Sequence, residues 1–185
     1  MNIRHLYSVT KGLVIGCIWR MRGVRIADRI VVDGYTPEIG SDGCIEIGSR
    51  ASFRGKRSRS RLGASKGAKL TIGKQCFVNS GVNIEATVAI HIGDHCLIGD
   101  EVNILDSNYH EIDEQSGLSQ GAVIIGNNVW IGNRAIILPH VTIGDHSVIG
   151  AGSVVTKPIP PKVLATGNPA KVIRQLEMSD SYIRR

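Results

Sequence analysis

The chain has 185 residues and a formal net charge of +6, enough for one domain of ordinary size and short for two. Its 25 Ile and 22 Gly supply about a quarter of the positions while aromatic residues number only eight, so the interior must be filled by branched aliphatics, which favour strands. Charged residues at 21% and apolar residues at 42% exclude a disordered chain, and the positive balance attracts acidic partners without choosing among nucleic acid, a phosphorylated cofactor, an anionic sugar and an anionic lipid surface.

In chain order, residues 3–22 read as a helix, with Leu6, Val9, Leu13, Cys17 and Met21 recurring at helical spacing. The helix is expected to pack by that stripe on the end or side of the domain. The alternative is peripheral membrane contact through residues 3–25, helped by Arg20, Arg22 and Arg25. The apolar run Leu13 to Trp19 is seven residues, against about 20 for a span. The sequence Trp19-Arg20-Met21-Arg22 after it is no small-residue cleavage site. The four cysteines are scattered and form no CxxC pair, which argues against a zinc ribbon or redox dithiol and for reduced thiols in a cytoplasmic protein.

Ile45-Glu46-Ile47-Gly48 and Leu70-Thr71-Ile72-Gly73 look like edges of a repeating coil. The stretch between them, residues 54–68, reads as a loop or an irregular, inserted part of an early coil, with Arg54, Lys56, Arg57, Arg59 and Arg61 concentrated at its start. From Ile72 the pattern sharpens. Blocks of six are headed by residues 72, 78 and 84, then, after two extra residues, 92, 98 and 104, and after an interruption 125, 131, 137, 143, 149 and 155. All twelve heads are Ile or Val, and seven are followed by Gly. The fifth place is usually small or aliphatic, as at Cys76, Val82, Val88, Cys96, Val102, Val129, Ala135, Val141, Ser147 and Ser153. Period six fits neither a helix nor a single half-buried strand. It fits a short strand plus a turn, repeated, with three blocks making one coil of a three-sided prism and coils stacking through parallel strand pairing.

The interruption follows Ile104, and the next clean head, Ile125, comes 21 residues on where three blocks would span 18. The residues between, a polar loop over about 106–122, contain His110 beside Glu111 and Asp113. Loops on a rigid scaffold are where sites are commonly built. His95, His140 and His146 take the fourth, solvent-facing turn place of a block, and His91 falls in the two-residue insertion. At the end of the chain, Pro158, Pro160 and Pro161 stop the strand pattern. Gly167-Asn168-Pro169 is a turn, and Lys171 to Met178 reads as a short capping helix. The domain layout is therefore 1–30 helical or irregular, 31–160 coils, and 161–185 cap.

The run IGDHCLIGDEVNILDSNYH (92–110), GNNVWIG (126–132), VIGAGSVVTKPIPP (148–161) and GNPAKVIR (167–174) resembles, over about residues 70–175, the hexapeptide-repeat acyltransferases of left-handed parallel β-helix fold. The likeness is to the sugar and polysaccharide O-acetyltransferases of the maltose, galactoside, capsule and colanic acid type. The resemblance implies an all-β left-handed parallel β-helix with short terminal helices; the handedness comes from the resemblance alone, since general crossover rules favour the opposite hand. It also implies an acetyl-CoA-dependent O-acetyltransferase of a saccharide hydroxyl in capsule, exopolysaccharide or lipopolysaccharide biosynthesis, working as a homotrimer with the cofactor between subunits.

By that resemblance His110 is the general base, as suits neutral imidazole; it needs a partner to orient its ring, for which Asp106, four residues back, is the candidate, with Glu111 or a backbone carbonyl as alternatives. The Asn133 backbone N–H is the oxyanion donor. Gly132 and Ala151 flank the pantetheine arm, and Thr156, Lys157, Lys171 and Arg174 meet the phosphates. Asn79 binds the acceptor sugar, Trp130 lines the site, and Glu85 is the acid nearest to Thr87, where galactoside-type enzymes carry an Asp, and a candidate for the acceptor. No metal and no nucleic acid is implied. Galactoside-type enzymes carry an Asp where this chain has Thr87, and their N-terminal helices are missing here, which points away from galactoside or maltose as acceptor. Rival readings are an amino-sugar N-acetyltransferase, a catalytically idle β-helix binding protein, and a carbonic anhydrase on this fold using His91, His95 and His110.

Overall fold

The structure, a computed structural model, describes residues 3–184. One helix, Ile3–Met21, is followed by short strands that stack into three parallel sheets, the faces of a triangular solenoid. The first face holds strands Arg25–Ile26, Cys44–Ile47, Lys69–Ile72, Ala89–Ile92, Val123–Ile125 and Thr142–Ile143. The second runs from Val31–Gly34 through Ser52–Gly55, Phe77–Val78, Leu97–Ile98 and Trp130–Ile131 to Val148–Ile149 and Val163–Gly167. The third stacks Glu38–Ser41, Arg61–Ala64, Asn83–Ala86, Asn103–Leu105, Ile136–Ile137 and Val154–Val155. This is the all-β parallel coil architecture the repeat predicts.

The block heads make the core. Ile26, Ile47, Ile72, Ile92, Ile125 and Ile143 are in register inside the first face. Ile39, Leu62, Ile84, Ile104, Ile137 and Val155 do the same inside the third. The fifth-place residues are buried with them, Val88 excepted. The fourth place is the corner. Gln75, His95, Glu101, Asn128, Arg134, His140 and His146 all have positive φ between 54° and 65°, the left-handed region in which short polar residues turn a chain. Gly73 sits where coils nearly touch: a Cβ there would lie 2.5 Å from the Gly93 backbone, so only hydrogen fits.

The structure corrects several expectations. Of the two readings of residues 54–68, the structure gives the irregular early coil and not a free loop: Ser52–Gly55 and Arg61–Ala64 are strands in register with their neighbours, and coils begin at Arg25. Their pattern is weak because their corners are long. Phe53 and Leu62 occupy consecutive places around one coil but are nine positions apart, so strict period six fails while inward stacking survives. Likewise Ile104 and Ile125 are consecutive heads, on the third face and then the first, so the interruption puts 21 positions where six would do. The C-terminal helix is absent. Ala170–Gln175 is a strand antiparallel to Val163–Gly167, because a tight turn after a paired strand returns the chain along that strand's free edge. His146 is buried rather than solvent-facing, covered by the end of the chain.

The helix packs on the open end of the solenoid by a different face from the one its stripe predicts. Ser8, Gly12, Gly16 and Trp19 are buried. A Cβ at Gly12 would overlap the Ile30 carbonyl oxygen, so small residues permit a close approach. Trp19 then meets the buried Phe53 edge-on, ring centroids 5.7 Å apart, closing the end of the core. Leu6, Leu13, Cys17 and Met21 of the predicted stripe face outward. No described helix is long and apolar enough to cross a membrane.

Candidate active site

Two surface features hold most of the residues singled out in the sequence. The first is the loop between Leu105 and Val123. Asp106 opens it and is fully buried. Its Oδ1 accepts the Thr87 N–H (2.7 Å) and Thr87 Oγ1 (2.8 Å), and its Oδ2 accepts the Val88 N–H (2.8 Å). The carboxylate thus ties the loop to the coil below it. The loop neck closes through Asn108 N–H to the Ser119 carbonyl (2.9 Å) and Gly121 N–H to the Asp106 carbonyl (2.8 Å). At the tip, Asp113 Oδ1 accepts the N–H groups of Gln115 and Ser116, which hold its carboxyl below the ordinary range.

His110 stands on this loop, exposed, and its ring makes no hydrogen bond among the described residues. The neighbouring Tyr109 has φ 61°, and its N–H donates to Ser107 Oγ at 3.0 Å. Burial, followed by the charges of Glu85 and Asp106, pushes the Tyr109 phenol up. Glu85 projects outward from the third face, and partial burial raises its carboxyl, Arg61 opposing and Glu38 adding to the effect.

The second feature is a groove of about 610 Å³ on the second face, lined by Phe77, Asn79, Leu97, Trp130 and Asn133 with Tyr182 and Arg184. Phe77, Leu97 and Trp130 are outward residues of three successive strands in register, so the groove floor is an apolar ladder. Its rim is a corner where third-place side chains form a hydrogen-bonded stack. The Ser80 N–H donates to Asp100 Oδ1 (3.1 Å), and the Asp100 N–H to Asn133 Oδ1 (3.0 Å). The next residue up is Ala151, which has no acceptor side chain, and the Asn133 N–H donates to no acceptor among the described residues. At the equivalent corner between the first and second faces the stack continues one step further, with Lys74 donating to Asp94, Asp94 to Asn127 and Asn127 to Asp145. The Asn133 N–H is therefore a donor left open where the pattern elsewhere would satisfy it.

The chain end closes one side of this groove. Arg184 donates from its guanidinium to the carbonyls of Asn128 and His146 (2.7 Å to the latter), and from its backbone N–H to Asn128 Oδ1 (2.9 Å). Asn128 Nδ2 donates to the Tyr182 carbonyl (2.7 Å) and to His146 Nδ1 (2.8 Å). Partial burial lowers the Arg184 guanidinium's proton affinity.

Of the residues singled out in the sequence, Asn79, Trp130 and Asn133 meet in this groove, with buried Gly132 and exposed Ala151 beside Asn133 on stacked coils. His110 lies elsewhere: its loop leaves the third face and returns to the first. Asp106 binds Thr87 and Val88 rather than the His110 ring. Thr156 and Lys157 follow the last strand of the third face, whereas Lys171 and Arg174 are exposed on the terminal strand of the second. Within one chain the predicted base, the groove and the cations are not assembled. Tyr182 and Arg184 escaped the sequence reading because they lie beyond the repeats and carry no motif. Among the described residues no His, Cys, Asp and Glu cluster could hold a metal ion.

A parallel solenoid of six-residue blocks defines the class of hexapeptide-repeat proteins, and likeness to known proteins puts the chain among its transferases. The family model "Bacterial transferase hexapeptide (six repeats)" matches residues 122–157. The galactoside O-acetyltransferase of Escherichia coli is 41% identical over 121 residues, covering 64% of this chain and 60% of that protein. A maltose O-acetyltransferase structure from Clostridium difficile is 35% identical with a TM-score of 0.55, covering 88% of this chain and 75% of that one. A hexapeptide-repeat acetyltransferase from Vibrio cholerae, solved with acetyl coenzyme A, is 33% identical with a TM-score of 0.54 over 61% of this chain and 62% of that chain. The chain belongs to the hexapeptide-repeat acyltransferase family. It spans 60% of the length of the galactoside relative.

Proposed function

We propose that the protein is an acetyl-CoA-dependent O-acetyltransferase of a saccharide hydroxyl, acting in the cytoplasm as a homotrimer. The observation that carries this is the open Asn133 N–H beside Trp130 and Asn79, where the third-place stack of that corner stops. An N–H with no internal partner, next to an apolar floor, suits an oxyanion that forms there in the transition state. The saccharide and acetyl donor are supported by the relatives, two of them sugar O-acetyltransferases and one bound to acetyl-CoA.

His110 takes the hydroxyl proton as the oxygen attacks the thioester carbonyl, then delivers a proton to the departing thiolate. Its exposed position on a tethered loop suits a base that must reach a neighbouring subunit. Because His110 and the groove lie on different edges of the prism, the site is complete only where the loop of one subunit meets the groove of the next. The same assembly brings Thr156 and Lys157 of one chain towards Lys171 and Arg174 of another, a cationic rim for the cofactor phosphates. Gly132 and Ala151 leave room for its pantetheine arm. Asn79 offers amide donor and acceptor to sugar hydroxyls. Thr87 is held by Asp106 rather than free for the acceptor, which favours a capsule, exopolysaccharide or lipopolysaccharide sugar over galactoside or maltose.

The test is thiol release from acetyl-CoA across nucleotide sugars, amino sugars and lipid-linked oligosaccharides, for wild type and His110→Ala. One hydroxyl acceptor is expected to turn over, with His110→Ala slower by about 10²- to 10⁴-fold. An amine as sole acceptor overturns the O-transfer reading, and undiminished turnover in His110→Ala overturns the base.

A further inference from the structure

The N-terminal helix is apolar on two sides. One side, Ser8, Gly12, Gly16 and Trp19, is consumed by the solenoid. The opposite side presents Leu6, Leu13, Val14 and Met21 at 49%, 50%, 57% and 81% exposure, with Tyr7 and Cys17 among them. The packed side does not cover these residues, so the helix keeps a second apolar surface in water, the kind that a binding partner or a lipid surface covers. Residues 1–27 contain five Lys and Arg (Arg4, Lys11, Arg20, Arg22, Arg25) and no Asp or Glu; of these, Arg25 is paired with Glu46 at 2.9 Å. Lys11 and Arg20 donate to the backbone carbonyls of Gly34 and of Ile26 and Asp28, bonds to neutral groups that leave their charge uncompensated. The helix cannot span a bilayer.

We infer that this outward face docks the protein on an anionic phospholipid surface, the helix lying in the plane of the headgroups with its apolar side chains inserted. Charge complementarity selects the occupant. Apolar exposure alone would serve a protein partner equally, whereas a segment rich in cations and lacking any acid matches a surface whose charge is uniformly negative. The inference is independent of the proposed chemistry.

The experiment is co-sedimentation with phosphatidylcholine vesicles and with vesicles in which about a third of the lipid is phosphatidylglycerol. Wild type is compared with Leu13→Glu/Val14→Glu, whose positions are solvent-facing. Far-UV circular dichroism and melting confirm that the variant is folded. Wild type is expected to partition at least about tenfold more onto the anionic vesicles, less so at high salt, and the double variant to lose that gain. As a second measurement, Cys17 in a Cys44→Ser background reacts with a charged, membrane-impermeant maleimide, and anionic vesicles slow that reaction by about tenfold. Equal partitioning onto both vesicle types, or wild-type partitioning by the double variant, overturns the inference. So does a Cys17 already protected without lipid in an assembly that the double variant dissolves, which would assign the face to contact between copies of the chain.

Discussion

Asp106 combines a short reach with full burial, and its three acceptor bonds to Thr87 and Val88 are how the His110 loop is anchored. Removing the carboxylate takes the acceptor away from three donors at a half-buried corner. Asp106→Ala should therefore destabilise the fold by about 3 kcal/mol, read as a lower urea midpoint with unchanged slope. Glu85 behaves oppositely, because burial raises its carboxyl above the ordinary 4.5. The folded chain holds that proton more tightly than the unfolded chain, so folding loses stability as pH rises from 4.5 through the raised native value. Glu85→Gln should raise the melting temperature at neutral pH and leave it nearly unchanged below about pH 4. Equal gains at both pH values would refute the assignment.

At the scale of the element, the coil corner is the unit that carries information. Gly99 lies under Asn133, and a Cβ there would meet Asn133 Oδ1 and stand 2.7 Å from the Asn133 N. Gly99→Ala should cost about 1–3 kcal/mol through overpacking, measured by thermal melting. The chain end is a second element, held by Arg184 on Asn128 and His146. Arg184→Ala should raise amide exchange over residues 179–184 by at least about tenfold while the strands keep their protection. Sequence pattern was legible from Ile72 onward, where most corners have one length and the two longer ones fall between clean runs of six. It was illegible where they lengthen, as between Phe53 and Leu62, because inward stacking depends on strand register and tolerates extra corner residues that a fixed period does not.

For the whole molecule, the separation of His110 from the Asn79–Trp130 groove leads to a prediction that neither half alone makes. His110→Ala and Asn79→Ala subunits, each inactive by itself, should regain activity when co-refolded. About a quarter of the sites in random trimers pair an intact base with an intact groove. No recovery, in mixtures shown by light scattering to be trimeric, would mean that each chain builds its own site.

From composition and spacing alone, the inward ladders, the corner positions, the interrupting loop and its histidine could be assigned, because a period-six pattern of Ile and Gly is compatible with little besides a stacked coil. Site residues could be placed by motif, and Asn79, Trp130 and Asn133 do share a groove. Three matters were decided only in three dimensions. Which face of the helix packs followed from glycines permitting contact with Ile30, a steric fact that hydrophobic spacing does not encode. The last segment became a strand through pairing with a free sheet edge, a tertiary opportunity that overrides local helical preference. Asp106 bonded to Thr87 and Val88 rather than turning towards His110 because stacked coils bring donors 18 and 19 positions away within 2.8 Å of its oxygens, a proximity that linear spacing does not encode.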